Sequence, residues 1–292
     1  MRKFYILIFC ILTINLFSQN DLQIKKAKEL MEQEKFRDAL SLLLQIEKNA
    51  AKNELMSIYA DIGICYRRLN DFNNAIIYYK KALAISPKIP DLYYNIGLAY
   101  YYKNYYKEAI NYLKKAIELS PNYTEAYGAM AMAYRDSGYL DMAIKIIKKA
   151  LNIDPEYAGG YNILGNCYED RKMHLKAIEM YKRAIILRPD YVSAFYNLGV
   201  VYDEIGRYSD AIDAYKQALT MQNDAPDIYY NLGITLMKIE NYYEAQDAFK
   251  KVIRLDSENI KAYENLIICL RNSKLEGEAR KWEKIKFDKF GK

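Results

Sequence analysis

The chain has 292 residues, 52% of them hydrophobic and 27% charged, with 12 Gly, 6 Pro, a formal net charge of +6, and 31 tyrosines beside one Trp and one His. This globular composition excludes a disordered or collagen-like chain. A single His leaves little material for a histidine metal centre or an imidazole base.

The amino terminus opens with Arg2 and Lys3, followed by an apolar run over residues 4–17 interrupted by Thr13 and Asn15. A membrane-spanning helix needs about 20 apolar residues, so this run is short for a span. Ser18 then offers a small residue ahead of polar Gln19, Asn20 and Asp21. The pattern predicts a secretory signal peptide over residues 1–18 and an exported protein, periplasmic or in a bacterial cell envelope. The alternative is an uncleaved segment that anchors the chain to a membrane. Removing residues 1–18 takes away two basic residues and no acidic ones, which lowers the net charge from +6 to +4. So small a surplus does not point to nucleic acid. Once processed, the chain keeps no stable transmembrane span.

Length alone suggests about two domains, but a repeat organises the rest. Gly63, Gly97, Gly165, Gly199 and Gly233 fall on one 34-residue grid, with Ala131 at the gap; Pro87, Pro121, Pro155 and Pro189 share the spacing, as do Ala75, Ala109, Ala143, Ala177, Ala211 and Ala245. Each unit reads as two helices. In the unit that starts at Ala158, Tyr161, Leu164, Gly165 and Tyr168 make one helical face at i, i+3, i+4 and i+7, and Ala177, Tyr181 and Ala184 make the matching stripe. Small residues where the helices face each other allow close approach, and Pro189 ends the second helix. One such hairpin cannot bury its apolar face alone, so neighbours must stack.

Residues 20–55 form a degenerate first unit carried by Ala27, Leu30, Phe36, Ala39 and Leu43, with two extra residues placed near positions 49–53. Residues 56–259 hold six regular units, and residues 260–292 hold a partial repeat and a capping helix with Trp282, Ile285 and Phe290. In the last repeat Ile267 replaces the Gly and Glu283 the aromatic.

The run Tyr93-x-x-Ile96-Gly97-x-x-Tyr100, then Ala109, Leu113, Ala116 and Pro121, resembles the tetratricopeptide repeat. The resemblance implies an all-α, right-handed superhelical solenoid of helix-turn-helix units whose first helices line a concave groove. It also implies a non-enzymatic scaffold without a cofactor. The sequence agrees: it carries no phosphate loop, no nucleophile elbow and no clustered metal ligands. His174 takes the place of Phe72, Tyr106, Tyr208 and Tyr242 in other units and reads as a substituted structural aromatic. Cys65, Cys167 and Cys269 lie 102 residues apart at one repeat position. At about 10 Å per helix layer they cannot meet the distance of about 7 Å that a disulfide requires.

The implied groove carries the candidate ligand-binding residues. Arg67 and Arg68 come first, then Tyr94, Asn95, Tyr101 and Tyr102. Arg135, Glu169, Asp170, Asp203 and Glu204 follow as a mostly acidic middle, then Lys238. That middle is expected to steer a Lys- or Arg-containing segment, with solvated charge as the plain alternative. Asn197, Asn231 and Asn265 recur on the 34-residue grid, joined by Asn162 and Asn166, and their amides can pair with an extended peptide backbone. The family's carboxylate clamp needs Lys and Asn where this chain has Ala60, Ile64, Tyr94 and Leu98, which argues against capture of a chaperone-type acidic C-terminus. The expected partner is an extended polypeptide in the groove, for envelope or secretion-related complex assembly. Tyr94, Tyr196 and Tyr230 keep a second reading open, a glycan-handling module in polysaccharide export or envelope assembly.

Overall fold

The computed structural model describes residues 20–291, and the expected signal peptide lies outside them. The described chain is helical throughout and falls into two compact units divided after Ile153. The first contains α1 (residues 20–32), α2 (Phe36–Glu47), α3 (Leu55–Arg68), α4 (Phe72–Ile85), α5 (Pro90–Tyr102), α6 (Tyr106–Leu119), α7 (Thr124–Asp136) and α8 (Leu140–Ile153). The second contains α9 (Ala158–Asp170), α10 (His174–Leu187), α11 (Val192–Glu204), α12 (Tyr208–Met221), α13 (Pro226–Lys238), α14 (Tyr242–Leu255), α15 (Ile260–Asn272) and α16 (Glu276–Phe290). Odd-numbered helices open the hairpins and even-numbered helices close them. Within each unit, every hairpin packs on the next. None of the described helices is long and apolar enough to cross a membrane.

The glycine grid has a direct steric cause. A Cβ built on Gly63, Gly165 or Gly199 would lie 2.5 to 2.6 Å from the ring of Tyr79, Tyr181 or Tyr215 on the closing helix. Each large residue stands sixteen positions after its glycine and is almost fully buried. At the gap in the grid, Ala131 has buried Ile147 at that offset, so a larger first residue goes with a slimmer partner.

Hairpin turns use a device that composition does not reveal. Glu34, Asn70, Asn104, Gly138, Lys172, Gly206, Glu240 and Lys274 all have φ between 57° and 85°, one per hairpin. The left-handed residue lets the next amide reach back over the helix end, as when Met173 N donates to Tyr168 O at 2.8 Å and Asn241 N to Leu236 O at 2.9 Å. Only two of the eight are glycine, and a Cβ in this region costs about 1–2 kcal/mol. Glu240→Gly is therefore expected to raise stability by about 1 kcal/mol, measured as an upward shift of the urea midpoint with unchanged slope.

Between hairpins, α4 and α6 each close on a non-helical serine just before proline, Ser86 and Ser120, while Pro90 and Pro226 open α5 and α13. The extra residues of the first unit do fall in a longer connection, residues 48–54. In α16, the Trp282 and Phe290 rings meet Tyr263 edge-on at 5.9 and 5.4 Å. Ile285, expected to join this cover, is exposed together with Phe287.

Candidate functional site

Opening helices of successive hairpins touch one another, α3 with α5 and α5 with α7 in the first unit, α9 with α11, α11 with α13 and α13 with α15 in the second. They form the inner layer of each stack. In the second unit this layer carries a connected polar seam. Asn197 Nδ2 donates to Asn162 Oδ1 at 3.2 Å and to Asn166 Oδ1 at 3.0 Å. The Tyr181 hydroxyl lies 2.8 Å from both Asn166 Oδ1 and Glu169 Oε2, and its single proton serves one of them at a time. Further along, Asn231 Nδ2 donates to the Tyr196 hydroxyl at 2.9 Å and Asn265 Nδ2 to the Tyr230 hydroxyl at 3.2 Å.

The asparagine ladder is therefore first an inter-repeat fastener: each amide reaches the preceding hairpin. Asn231 and Asn265 commit one N–H in this way, leaving the carbonyl oxygen and the second N–H. Asn95 in α5 behaves differently, bonding Asp91 O of its own helix at 2.9 Å. Three residues after Asn197, Asn231 and Asn265 stand Val200 and Ile234, half-buried, and Ile268, 43% exposed.

The expected acidic middle is largely committed as well. Asp203 accepts from Thr235 Oγ1 at 2.8 Å and pairs with Lys238. Glu204 lies 3.5 Å from Lys172 Nζ and 3.6 Å from His174 Nδ1, and Arg135 pairs with Asp136 at 3.3 Å. Asp170 is exposed. Long-range steering by such charges is weaker than a bare count of carboxylates suggests.

The last residue of an opening helix sits at the turn edge instead of the inner face. Tyr102 stacks on Phe72 at 5.4 Å, Arg68 lies over Phe36 at 5.5 Å and Lys238 over Tyr208 at 5.5 Å, each pair joining adjacent hairpins. Glu204 and His174 occupy the same places, so His174 is part of this seam. The sequence reading missed the seam because its two halves lie about one repeat apart, beyond the reach of any local pattern.

In the first unit the tyrosines also fasten repeats together. The Tyr101 hydroxyl donates to Asp136 Oδ2 at 2.5 Å and that of Tyr123 to Asp91 Oδ1 at 2.6 Å, while the Tyr94 and Tyr123 rings lie 5.1 Å apart. Burial pushes the phenols of Tyr94, Tyr101 and Tyr123 up, and for the last two the accepting carboxylates push further.

Cys65, Cys167 and Cys269 are buried thiols outside any disulfide. Burial pushes the Cys65 thiol up to about 12 and the Cys269 thiol up to about 11. The native protein is therefore expected to resist iodoacetamide at pH 8, with all three thiols alkylated once the chain is unfolded in urea. Mass spectrometry with and without urea checks this. Among the described residues no group of His, Cys, Asp and Glu could hold a metal ion.

Tetratricopeptide repeat models match residues 90–123, 124–157, 156–224 and 226–259, and a TPR repeat model matches residues 65–103. A search of the curated proteins by sequence found no match. Among solved structures, a tetratricopeptide repeat protein from Parabacteroides merdae is 16% identical, with a TM-score of 0.66 over 87% of this chain and 99% of that one. The pilF protein of Pseudomonas aeruginosa is 20% identical, with a TM-score of 0.60 over 69% and 92%. MamA is 30% identical, with a TM-score of 0.50 over 57% and 97%. With these matches along the stacked hairpins, the chain belongs to the tetratricopeptide repeat family.

Proposed function

We propose that this protein is an exported, non-enzymatic adaptor that holds an extended polypeptide against the inner layer of its opening helices, in the assembly of an envelope or secretion complex. The observation that carries this reading is the row formed by Val200, Ile234 and Ile268, each three residues after an asparagine of the ladder on its opening helix. It combines partly exposed aliphatic side chains with amides that keep a donor and an acceptor, the chemistry an extended backbone and its alternate side chains require. Family membership supports the same class, since stacked helical repeats offer long surfaces for protein partners. The polypeptide is placed ahead of a glycan because the hydroxyl oxygens of Tyr196 and Tyr230 accept from asparagines of the next repeat and Tyr94 packs against Tyr123.

Val200→Arg and Ile234→Arg are expected to cut partner retention at least tenfold, a loss of about 1.4 kcal/mol or more. Ile186→Arg, at a 68% exposed position on closing helix α10, should leave it unchanged. Equal retention by all three variants would remove the inner layer from consideration. Export is tested separately by the mature amino terminus: cleavage before Gln19 is expected, and an intact Met1 in the membrane fraction would favour the anchored alternative.

A further inference from the structure

Both ends of the repeat array carry a large apolar side chain where a terminal hairpin ordinarily turns a polar face to water. Leu22 of α1 is 69% exposed and Phe287 of α16 is 62% exposed. No other hairpin exposes either position. Leu22 stands twelve residues before the left-handed turn residue, the place of Ile58 and Leu92, which are buried in clusters with the closing helix of the preceding hairpin. Phe287 stands thirteen residues after it, the place of half-buried Leu83 and buried Ile253, which share clusters with the opening helix that follows them. The two exposed side chains are thus the two halves of one kind of junction.

At the carboxyl end, α16 covers Tyr263 but leaves a groove of about 420 Å³ against α15. Ile267, Ile268 and Phe287 line it, and the pairs Arg271–Glu283 and Glu264–Lys286 bound it, the latter at 3.4 Å. In earlier hairpins the matching positions face the next opening helix. Glu264 holds the place of Tyr196 and Tyr230, which accept from Asn231 and Asn265. Arg271 holds that of Asp203, which pairs with Lys238. In all three pairs the partners stand 35 residues apart. Among the described residues α15 is the last opening helix, so this end face is a formed seat for one more hairpin.

We propose that this seat takes the first hairpin of a second copy, so that chains associate head to tail. The repeat register supplies the match. Counted back from the left-handed turn residue, Lys25 holds the place of Asn231 and Asn265, and Glu32 that of Lys238. A second copy set as the next hairpin therefore brings Lys25 to Glu264, Glu32 to Arg271, and Leu22 to the side of Phe287. Both charge pairs have opposite signs. Leu22, Lys25, Glu29 and Glu32 are all exposed and follow one another along a single face of α1. Such a contact is heterologous: each copy uses one end and keeps the other open, which builds chains or rings. It does not involve Val200 or Ile234, so it stands apart from the polypeptide reading.

The test is sedimentation velocity of the protein purified from its host with its native amino terminus, where species that grow with concentration are expected. Leu22→Lys and Phe287→Lys, both at exposed positions and checked for folding by circular dichroism, should each weaken association at least tenfold. The mixture is decisive. Each variant keeps one sound end, so equal amounts of the two should form a one-to-one dimer and nothing larger. Lys25→Glu should also weaken association, and adding Glu264→Lys to the same chain should restore it. A protein that stays monomeric at every concentration would overturn the proposal. So would association that survives Leu22→Lys but not Phe287→Lys, the mark of a two-fold contact between like ends. Association indifferent to both substitutions, or a charge exchange that restores nothing, would overturn it as well.

Discussion

Gly165→Ala is expected to destabilise the second unit by about 1–3 kcal/mol. The new Cβ would lie 2.5 Å from Cε1 of Tyr181, a ring with no exposed surface and therefore nowhere to swing. Moving the ring also pulls its hydroxyl from Asn166 and Glu169, which ties a steric fault to the polar seam. Helix propensity works the other way by about 1 kcal/mol and is outweighed. Gly277→Ala supplies the control, because nothing lies within 4 Å of a Cβ at that position in α16. It should gain a few tenths of a kcal/mol or slightly more. Urea unfolding of both variants checks the pair, and equal effects of the two substitutions would mean that the close approach of α9 and α10 is not what the glycine serves.

The second large effect compares one substitution at two equivalent positions. Tyr181→Phe removes a buried hydroxyl held 2.8 Å from an amide oxygen and a carboxylate oxygen. A hydrogen bond to a charged group contributes about 1.5–3 kcal/mol, and a loss in that range is expected. Tyr79→Phe removes a hydroxyl that is equally buried but has no partner. Relief of an unsatisfied buried group should raise stability by about 1 kcal/mol. The same chemical change thus carries opposite signs in two hairpins, readable as opposite shifts of the midpoint in matched urea titrations. Loss of stability in both would show that Tyr79 has a partner after all.

These examples show where the sequence was legible. Gly165 and Tyr181 sit on a strict 34-residue grid, so the hairpins, their order and their small facing residues followed from spacing alone. The sequence also located Asn197, Asn231 and Asn265 on one layer. It did not reveal that their amides fasten hairpins together, because Asn231 and Tyr196 lie 35 residues apart and meet only through stacking. The pairing of the acidic middle was hidden for the same reason: Lys238 and Lys172, which pair with Asp203 and Glu204, come from neighbouring hairpins. The left-handed turn residues escaped notice because Glu240, Lys172 and Lys274 carry no glycine signal. Arg67 was visible as a charge, but the burial of its Nε without a hydrogen bond could be seen only with the packing in place.

The most direct test of the inner layer as a polypeptide-binding face is site-specific photo-crosslinking in the native cell. A benzophenone amino acid is placed at Val200, Ile234 or Ile268 on the opening helices and at Ile186 or Tyr243 on the closing helices, the last two 68% exposed. Adducts from the first three positions are expected to map to one continuous segment of a single partner, in an order that follows the repeats. Adducts confined to Ile186 and Tyr243, or inner-layer adducts scattered over unrelated sequences, would contradict the proposed binding face.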